Sequence, residues 1–208
     1  MNKLLSNQDL SRADLQLISE WIEPNSHVMD LGCGNGKLLK HLQEAKQVSG
    51  YGVELNPEMI SQCIENGVNV IQTNLNQGLD HFDSDAFDYV ILSLTLQAMR
   101  NPKALLQEML RVGKQGIVTF PNFAYWRNRL QIGLGGLMPV SEELPHKWFD
   151  TPNIHLCTIH DFHALCEQLG FKIEATVAVH RTGKEGLGLK LLPNLFGEIA
   201  LCRFSKRL

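Results

Sequence analysis

The stretch Asp30-Leu31-Gly32-Cys33-Gly34-Asn35-Gly36-Lys37 constrains this chain more than any other. It leaves a short apolar run, Val28-Met29-Asp30-Leu31, and enters a segment with Leu38, Leu39 and Leu42 at helical spacing. A glycine turn between a strand and a helix is the context a nucleoside-binding loop requires. Gly32 permits the tight turn, Gly34 lets a ligand touch bare backbone, and Gly36 lets the helix approach the strand. Glu54 ends the next apolar run, Tyr51-Gly52-Val53-Glu54-Leu55, 22 residues after Gly32. A carboxylate at that point accepts hydrogen bonds from ribose hydroxyls.

The same alternation continues along the chain. Asn56-Pro57 and Asn101-Pro102 are helix starts, an amide cap followed by a proline at the first helical position. Met59, Ile60, Cys63 and Ile64 form the expected inner face of one helix, and Leu105, Leu106, Met109 and Leu110 that of the other. Strands are expected near 68–73, 87–93 and 115–120, and two more at 172–179 and 199–204 after a capping-box start at Thr158-Ile159-His160-Asp161. Strands alternating with helices across short turns predict an α/β fold, a doubly wound and mostly parallel seven-stranded sheet with helices on both faces. At 208 residues the whole chain, 1–208, reads as one domain. A leading helix falls within 1–26, its stripe of Leu10, Leu17, Ile18 and Trp21 interrupted by Asp14. The rhythm fails at 121–157, where aromatic and basic residues mix with a Gly135-Gly136 pair, and a glycine-rich loop is expected over 183–197. A segment as long and aromatic as 121–157 reads as a folded insertion or lid near the functional edge.

Composition narrows the function classes. Nineteen basic against 22 acidic residues leave a formal charge of -3, which argues against a nucleic-acid partner. No apolar run reaches the ~20 residues of a membrane span, and the first residues turn polar at once, so a cytoplasmic protein is expected. Five cysteines without a CxxC pair read as reduced core thiols. Cys157, His160 and His163 lie close in sequence without a fourth ligand, so no metal site is assigned.

Charge then discriminates among nucleoside cofactors. Glu54 disfavours a 2′-phosphate, and the GxGxG spacing departs from the GxGxxG of dinucleotide folds, which weighs against NAD. S-adenosylmethionine carries a sulfonium and an amino group, and Asp30 at the start of the loop suits such a cation. For chemistry, the polar residues that topology places toward a substrate are Gln97, Asn122 and His155, candidates for aligning or deprotonating an acceptor.

Asp30-x-Gly32-x-Gly34-x-Gly36 with Glu54 resembles the first two motifs of class I S-adenosylmethionine-dependent methyltransferases, a Rossmann-like fold. In many of those an acidic residue after the third strand meets the adenine amino group. Here Asn74 stands in that place, and its amide oxygen accepts the same bond. A narrower likeness lies downstream. Gly67-Val68-Asn69-Val70-Ile71-Gln72, Leu92-Ser93-Leu94-Thr95-Leu96-Gln97-Ala98, Phe120-Pro121-Asn122-Phe123 with Trp126-Arg127-Asn128-Arg129, and Asp150-Thr151-Pro152-Asn153-Ile154-His155-Leu156-Cys157-Thr158 are similar to the MetW family of methionine biosynthesis proteins. The likeness covers about 28–170. It implies S-adenosylmethionine or S-adenosylhomocysteine as ligand, held by Asp30, Gly32, Gly34, Gly36, Glu54 and Asn74. It also implies homoserine O-acyltransferase as partner, in support of homoserine acylation. The alternative reading is an active methyltransferase acting on a small molecule.

Overall fold

The computed structural model describes residues 12–180 and 187–207. Seven strands form one sheet: β1 (His27–Leu31), β2 (Ser49–Glu54), β3 (Val70–Gln72), β4 (Phe87–Ser93), β5 (Gly113–Pro121), β6 (Phe171–Val179) and β7 (Ile199–Lys206). Their order is β3-β2-β1-β4-β5-β7-β6, and only β7 runs antiparallel to its neighbours β5 and β6. The order reverses between β1 and β4, which opens a crevice beyond their C-terminal ends.

Two cores lie on opposite faces of this sheet because strand side chains alternate. Val90 and Leu92 of β4 enter one core, Tyr89 and Ile91 the other; Val118 and Ile117 of β5 divide in the same way. Helices α2 (Lys37–Lys46) and α3 (Pro57–Glu65) cover one face together with α1 (Ala13–Trp21). Helices α4 (Pro102–Val112) and α6 (Ile159–Gln168) cover the other, where Phe162 packs between Phe120 and Phe204 at ring distances of 5.3 and 5.8 Å. Each such fully buried side chain contributes roughly 1.5–3 kcal/mol of transfer free energy.

The helix starts behave as the sequence predicts. Asn56 Oδ1 accepts from Glu58 N–H at 2.9 Å and Asn101 Oδ1 from Ala104 N–H at 3.1 Å. Thr158 and Asp161 close the reciprocal capping box. Three expectations change. Ile64 is exposed, so α3 buries a narrower face, centred on Cys63, against the sheet edge formed by the short β3. Between β6 and β7, α7 (Leu187–Leu191) and α8 (Pro193–Phe196) replace an open loop, because Leu189 and Phe196 reach the core. Asp14 belongs to the buried face of α1: the Arg12 guanidinium grips both its carboxylate oxygens, and Thr119 Oγ1 donates to it at 3.4 Å. Leu10 and Gly183 lie outside the described residues. Within 121–157 there is one helix, α5 (Trp126–Gly135), followed by irregular chain up to α6.

Candidate functional site

The crevice is built by the turn after β1. Gly32 N–H and Cys33 N–H both donate to Val53 O, at 2.7 and 3.1 Å, which anchors the turn to β2. Gly36 N–H donates to Cys33 O at 3.0 Å. All three glycines have positive φ, +73, +56 and +74° at Gly32, Gly34 and Gly36, a conformation that side chains oppose. A Cβ on Gly36 would lie 3.1 Å from Cys63 Sγ and 3.2 Å from Val68. The close approach Gly36 permits is therefore to α3 and the chain leading into β3. A Cβ on Gly34 would meet nothing within 4 Å, so that backbone faces open space.

Glu54 is the hub. Its Oε2 accepts Gly34 N–H at 2.9 Å, and its Oε1 accepts Leu55 N–H at 2.7 Å and Asn56 N–H at 2.9 Å. A carboxylate offers about four lone-pair sites, so the group holds the loop and retains acceptor capacity. Beside it lies a cleft of about 270 Å³ lined by Gly32, Glu54, Leu55, Asn74, Thr95 and Met99 among others. The structure thus brings three of the expected cofactor residues, Gly32, Glu54 and Asn74, to one cavity. Asn74 Oδ1 already accepts both the backbone N–H of Asn76 at 3.0 Å and its Nδ2 at 3.3 Å and caps a short 3₁₀ turn, Leu75–Gln77, so an adenine amino group would have to displace the Asn76 side chain from that oxygen.

Asp30 lies beneath the loop, 3% exposed, and its Oδ1 has no hydrogen-bond partner. Burial pushes its pKa up to about 7, against the pull of the Arg12 guanidinium and with a contribution from Glu54. An orphaned acceptor in that position is an unmet demand for a donor or a cation. Burial also raises the Cys33 thiol, which Asp30, Cys63 and Glu54 raise further, so Cys33 stays protonated and is no nucleophile. Cys63 Sγ donates to Gly34 O at 3.1 Å and fastens the other side of the loop.

Of the three candidates for chemistry, Asn122 lines one cavity of about 500 Å³ and Gln97 another of about 310 Å³. Asn122 is 1% exposed; its Nδ2 donates to Asn194 O and Gly197 O at 3.1 and 2.9 Å, and its Oδ1 accepts Ala124 N–H at 3.2 Å. That side chain joins β5 to the turn before β7 with both N–H groups engaged, and it lines its cavity with Tyr125, Arg127, His180 and Glu198. His155 lies on an exposed stretch, with its backbone N–H donating to Gln97 O at 3.0 Å. Gln97 lines a separate cavity of about 310 Å³ with Arg12, Leu94 and His146, and its Oε1 is buried without a partner. Arg12, which also donates to Ser93 Oγ at 3.1 Å, is the residue sequence reasoning missed at this edge. It lies before the apolar stripe of α1, and only the tertiary fold places it beside β4. Among the described residues no group of three or more His, Cys, Asp or Glu is placed to hold a metal ion, and His163 instead bonds Thr176 Oγ1 at 2.8 Å. No helix among them is long and apolar enough to cross a membrane.

The α/β fold of this chain, with its seven-stranded sheet and single antiparallel strand, is shared with solved S-adenosylmethionine-dependent methyltransferases. A methyltransferase of that type from Archaeoglobus fulgidus superposes with a TM-score of 0.68 over 98% of this chain and 96% of its own, at 19% identity. One from Mesorhizobium loti gives 0.68 over 93% and 98%, at 16% identity. The chain belongs to the family described as methionine biosynthesis protein MetW, which matches residues 12–204. The bifunctional methionine biosynthesis protein MetXA/MetW of Rhodopirellula baltica is 41% identical over 202 residues, covering 93% of this chain. The chain spans only 32% of that relative's length.

The residues present fit an adenosyl ligand with a cationic tail. Gly34 leaves room along the loop, Glu54 has acceptor capacity for a ribose, and Asp30 Oδ1 lacks a partner.

Proposed function

We propose that this chain binds S-adenosylmethionine or S-adenosylhomocysteine at the glycine loop and acts as the partner of homoserine O-acyltransferase in methionine biosynthesis. The observation that carries the partnership is the Rhodopirellula baltica relative, in which a MetXA and a MetW portion share one bifunctional polypeptide. Linking two chains is useful where they work in contact, since the linker raises their effective concentration.

The ligand reading rests on the loop. Glu54 would accept from the ribose hydroxyls while it keeps Gly34 N–H in place, Asn74 would meet the base, and Asp30 would offset the positive end. When bound, S-adenosylmethionine supplies an electrophilic methyl group. The chain's own residues supply orientation and charge, and the side chains expected to serve an acceptor lie apart: Asn122 lines one cavity and Gln97 another, and both amide N–H groups of Asn122 are engaged by backbone carbonyls. An accessory role therefore fits these residues better than a built acceptor site does.

Reconstitution tests the reading. Purified homoserine O-acyltransferase is assayed for homoserine acylation with and without this chain, and with S-adenosylmethionine varied. A rate that depends on the chain supports the partnership, whereas an unchanged rate, with methyl label passing to a metabolite instead, would replace it with the methyltransferase reading.

A further inference from the structure

The cavity of about 500 Å³ opens where β5 ends and β7 begins, and it shares no described residue with the crevice beside Glu54. Its volume lies within the range of small-molecule sites. Its walls are fastened in place. Gln131 of α5 clips Val140: its Oε1 accepts the Val140 N–H at 2.9 Å, and its Nε2 donates to Val140 O at 3.3 Å. Ser141 and Leu144 close a tight turn through reciprocal backbone bonds of 3.1 and 3.2 Å, and Leu144 is buried. The segment 140–144 is thereby held to α5, and both line the cavity.

Asn128 lines this cavity from α5 and is 3% exposed. Its Nδ2 donates to Asn122 O and Phe123 O, both at 3.4 Å. Those two carbonyls fix the amide, because the reverse orientation would set its own oxygen against them. Oδ1 is left buried with no hydrogen-bond partner. A buried acceptor in that state calls for a donor brought by something else.

The charged lining shows which donor fits. Glu142, Glu143 and Glu198 stand there with one guanidinium, that of Arg127, and the His180 imidazole. Glu198 is already engaged: its Oε1 lies 3.5 Å from His180 Nδ1, and after burial its charge is the main cause that pushes the Tyr125 hydroxyl up. A carboxylate has about four lone-pair sites, so such contacts leave acceptor capacity. Carboxylates and an amide oxygen along one wall suit an ammonium group, which carries three donors. They do not suit a metal ion, since among the described residues no three His, Cys, Asp or Glu side chains converge. Arg127 is exposed and lies over the Trp126 ring at 5.4 Å, and its planar fork matches a carboxylate. We infer that this cavity is a second ligand site, which binds a small α-amino acid with its ammonium toward Asn128 Oδ1 and the carboxylates and its carboxylate at Arg127. The sheet then carries two sites on its C-terminal edge, one for a nucleoside and one for an amino acid. Because they share no described residue, the second stands independently of the first.

Thermal-shift screening of the full chain against the common L-amino acids and L-homoserine, followed by calorimetry, tests this. Butylamine and butyrate serve as probes that carry only one of the two charged groups. At least one amino acid should bind saturably, more tightly than either of those probes and without competition from S-adenosylhomocysteine. Arg127→Ala and Glu198→Gln should each weaken that binding about tenfold or more, with S-adenosylhomocysteine affinity unchanged. Arg127 is exposed, so its variant decides the matter even where Glu198→Gln fails to fold. Silence across the whole panel, equal binding of butylamine or butyrate, or full amino-acid binding by Arg127→Ala would overturn the assignment. Displacement of the amino acid by S-adenosylhomocysteine would put it in the crevice and overturn the assignment as well. The S-adenosylhomocysteine titration alone reports on the crevice, so a failure there is read separately.

Discussion

The backbone N–H of Gly34 donates to Oε2 of Glu54 at 2.9 Å, a bond that spans 20 residues of sequence and joins the turn after β1 to the end of β2. The same carboxylate takes two further N–H groups from Leu55 and Asn56. Loop shape and acceptor chemistry thus depend on one side chain. Replacing Glu54 by Gln removes the charge and one acceptor oxygen. Hydrogen bonds to a charged group are worth about 1.5–3 kcal/mol. S-adenosylhomocysteine affinity is expected to fall about 10- to 100-fold by calorimetry, and an unaffected affinity would remove Glu54 from the site.

Asp30 makes the fold sensitive to pH in a defined direction. Its folded pKa is raised from 3.8 to about 7, chiefly by burial, so the native state keeps a proton that the unfolded chain has released. Stability from this group is therefore full below about pH 4, declines as pH rises toward 7, and is flat above. The Asp30→Asn variant lacks that titration. In denaturant unfolding, wild type should lose stability relative to Asp30→Asn across this window, on the order of 4 kcal/mol in all. A difference that does not vary with pH would contradict the buried, unpartnered carboxyl.

Gly34 and Gly36 separate binding from folding. Alanine at either incurs the strain of a left-handed backbone, roughly 1–2 kcal/mol. At Gly36 the new methyl also presses on Cys63 Sγ at 3.1 Å and Val68 at 3.2 Å, which adds about 1–3 kcal/mol of overpacking. At Gly34 the methyl enters open space, the space proposed for the ligand. Thermal melts should show the larger loss for Gly36→Ala, while titration should show Gly34→Ala folded and deficient in ligand binding.

Asn122 should behave as a structural residue. Removing its amide leaves Asn194 O, Gly197 O and Ala124 N–H without their present partner in a buried setting. Asn122→Ala is expected to lower stability by about 1–3 kcal/mol, by urea unfolding, with ligand affinity retained at a temperature where the variant is folded. Full stability together with lost activity would restore it to a role at the substrate.

The parts of the molecule that repeat a local rule were legible in the sequence. Asn56-Pro57, Asn101-Pro102 and Thr158 to Asp161 announce helix starts by local chemistry alone, and the glycine turn with Glu54 does so for the crevice. Misreadings occur where a partner distant in sequence decides. Asp14 breaks an apolar stripe on paper, yet Arg12 and Thr119 satisfy it in the core. Ile64 follows the helical period, but α3 sits over a three-residue edge strand that cannot cover it. Asn122 reads as a polar group placed toward a substrate, and the bonds of its amide to residues 194 and 197, which no local signal announces, form only once β7 has folded back beside β5. The insertion has no period to read, so its apolar surface emerges only from exposure in the fold.

Calorimetric titration of the purified chain with S-adenosylmethionine, S-adenosylhomocysteine and NAD in parallel tests the account most directly. It should show saturable binding of the two adenosyl sulfur compounds, none of NAD, and loss of the signal in Gly34→Ala. Absence of heat with both sulfur compounds, or equal binding by the Gly34→Ala variant, would contradict it.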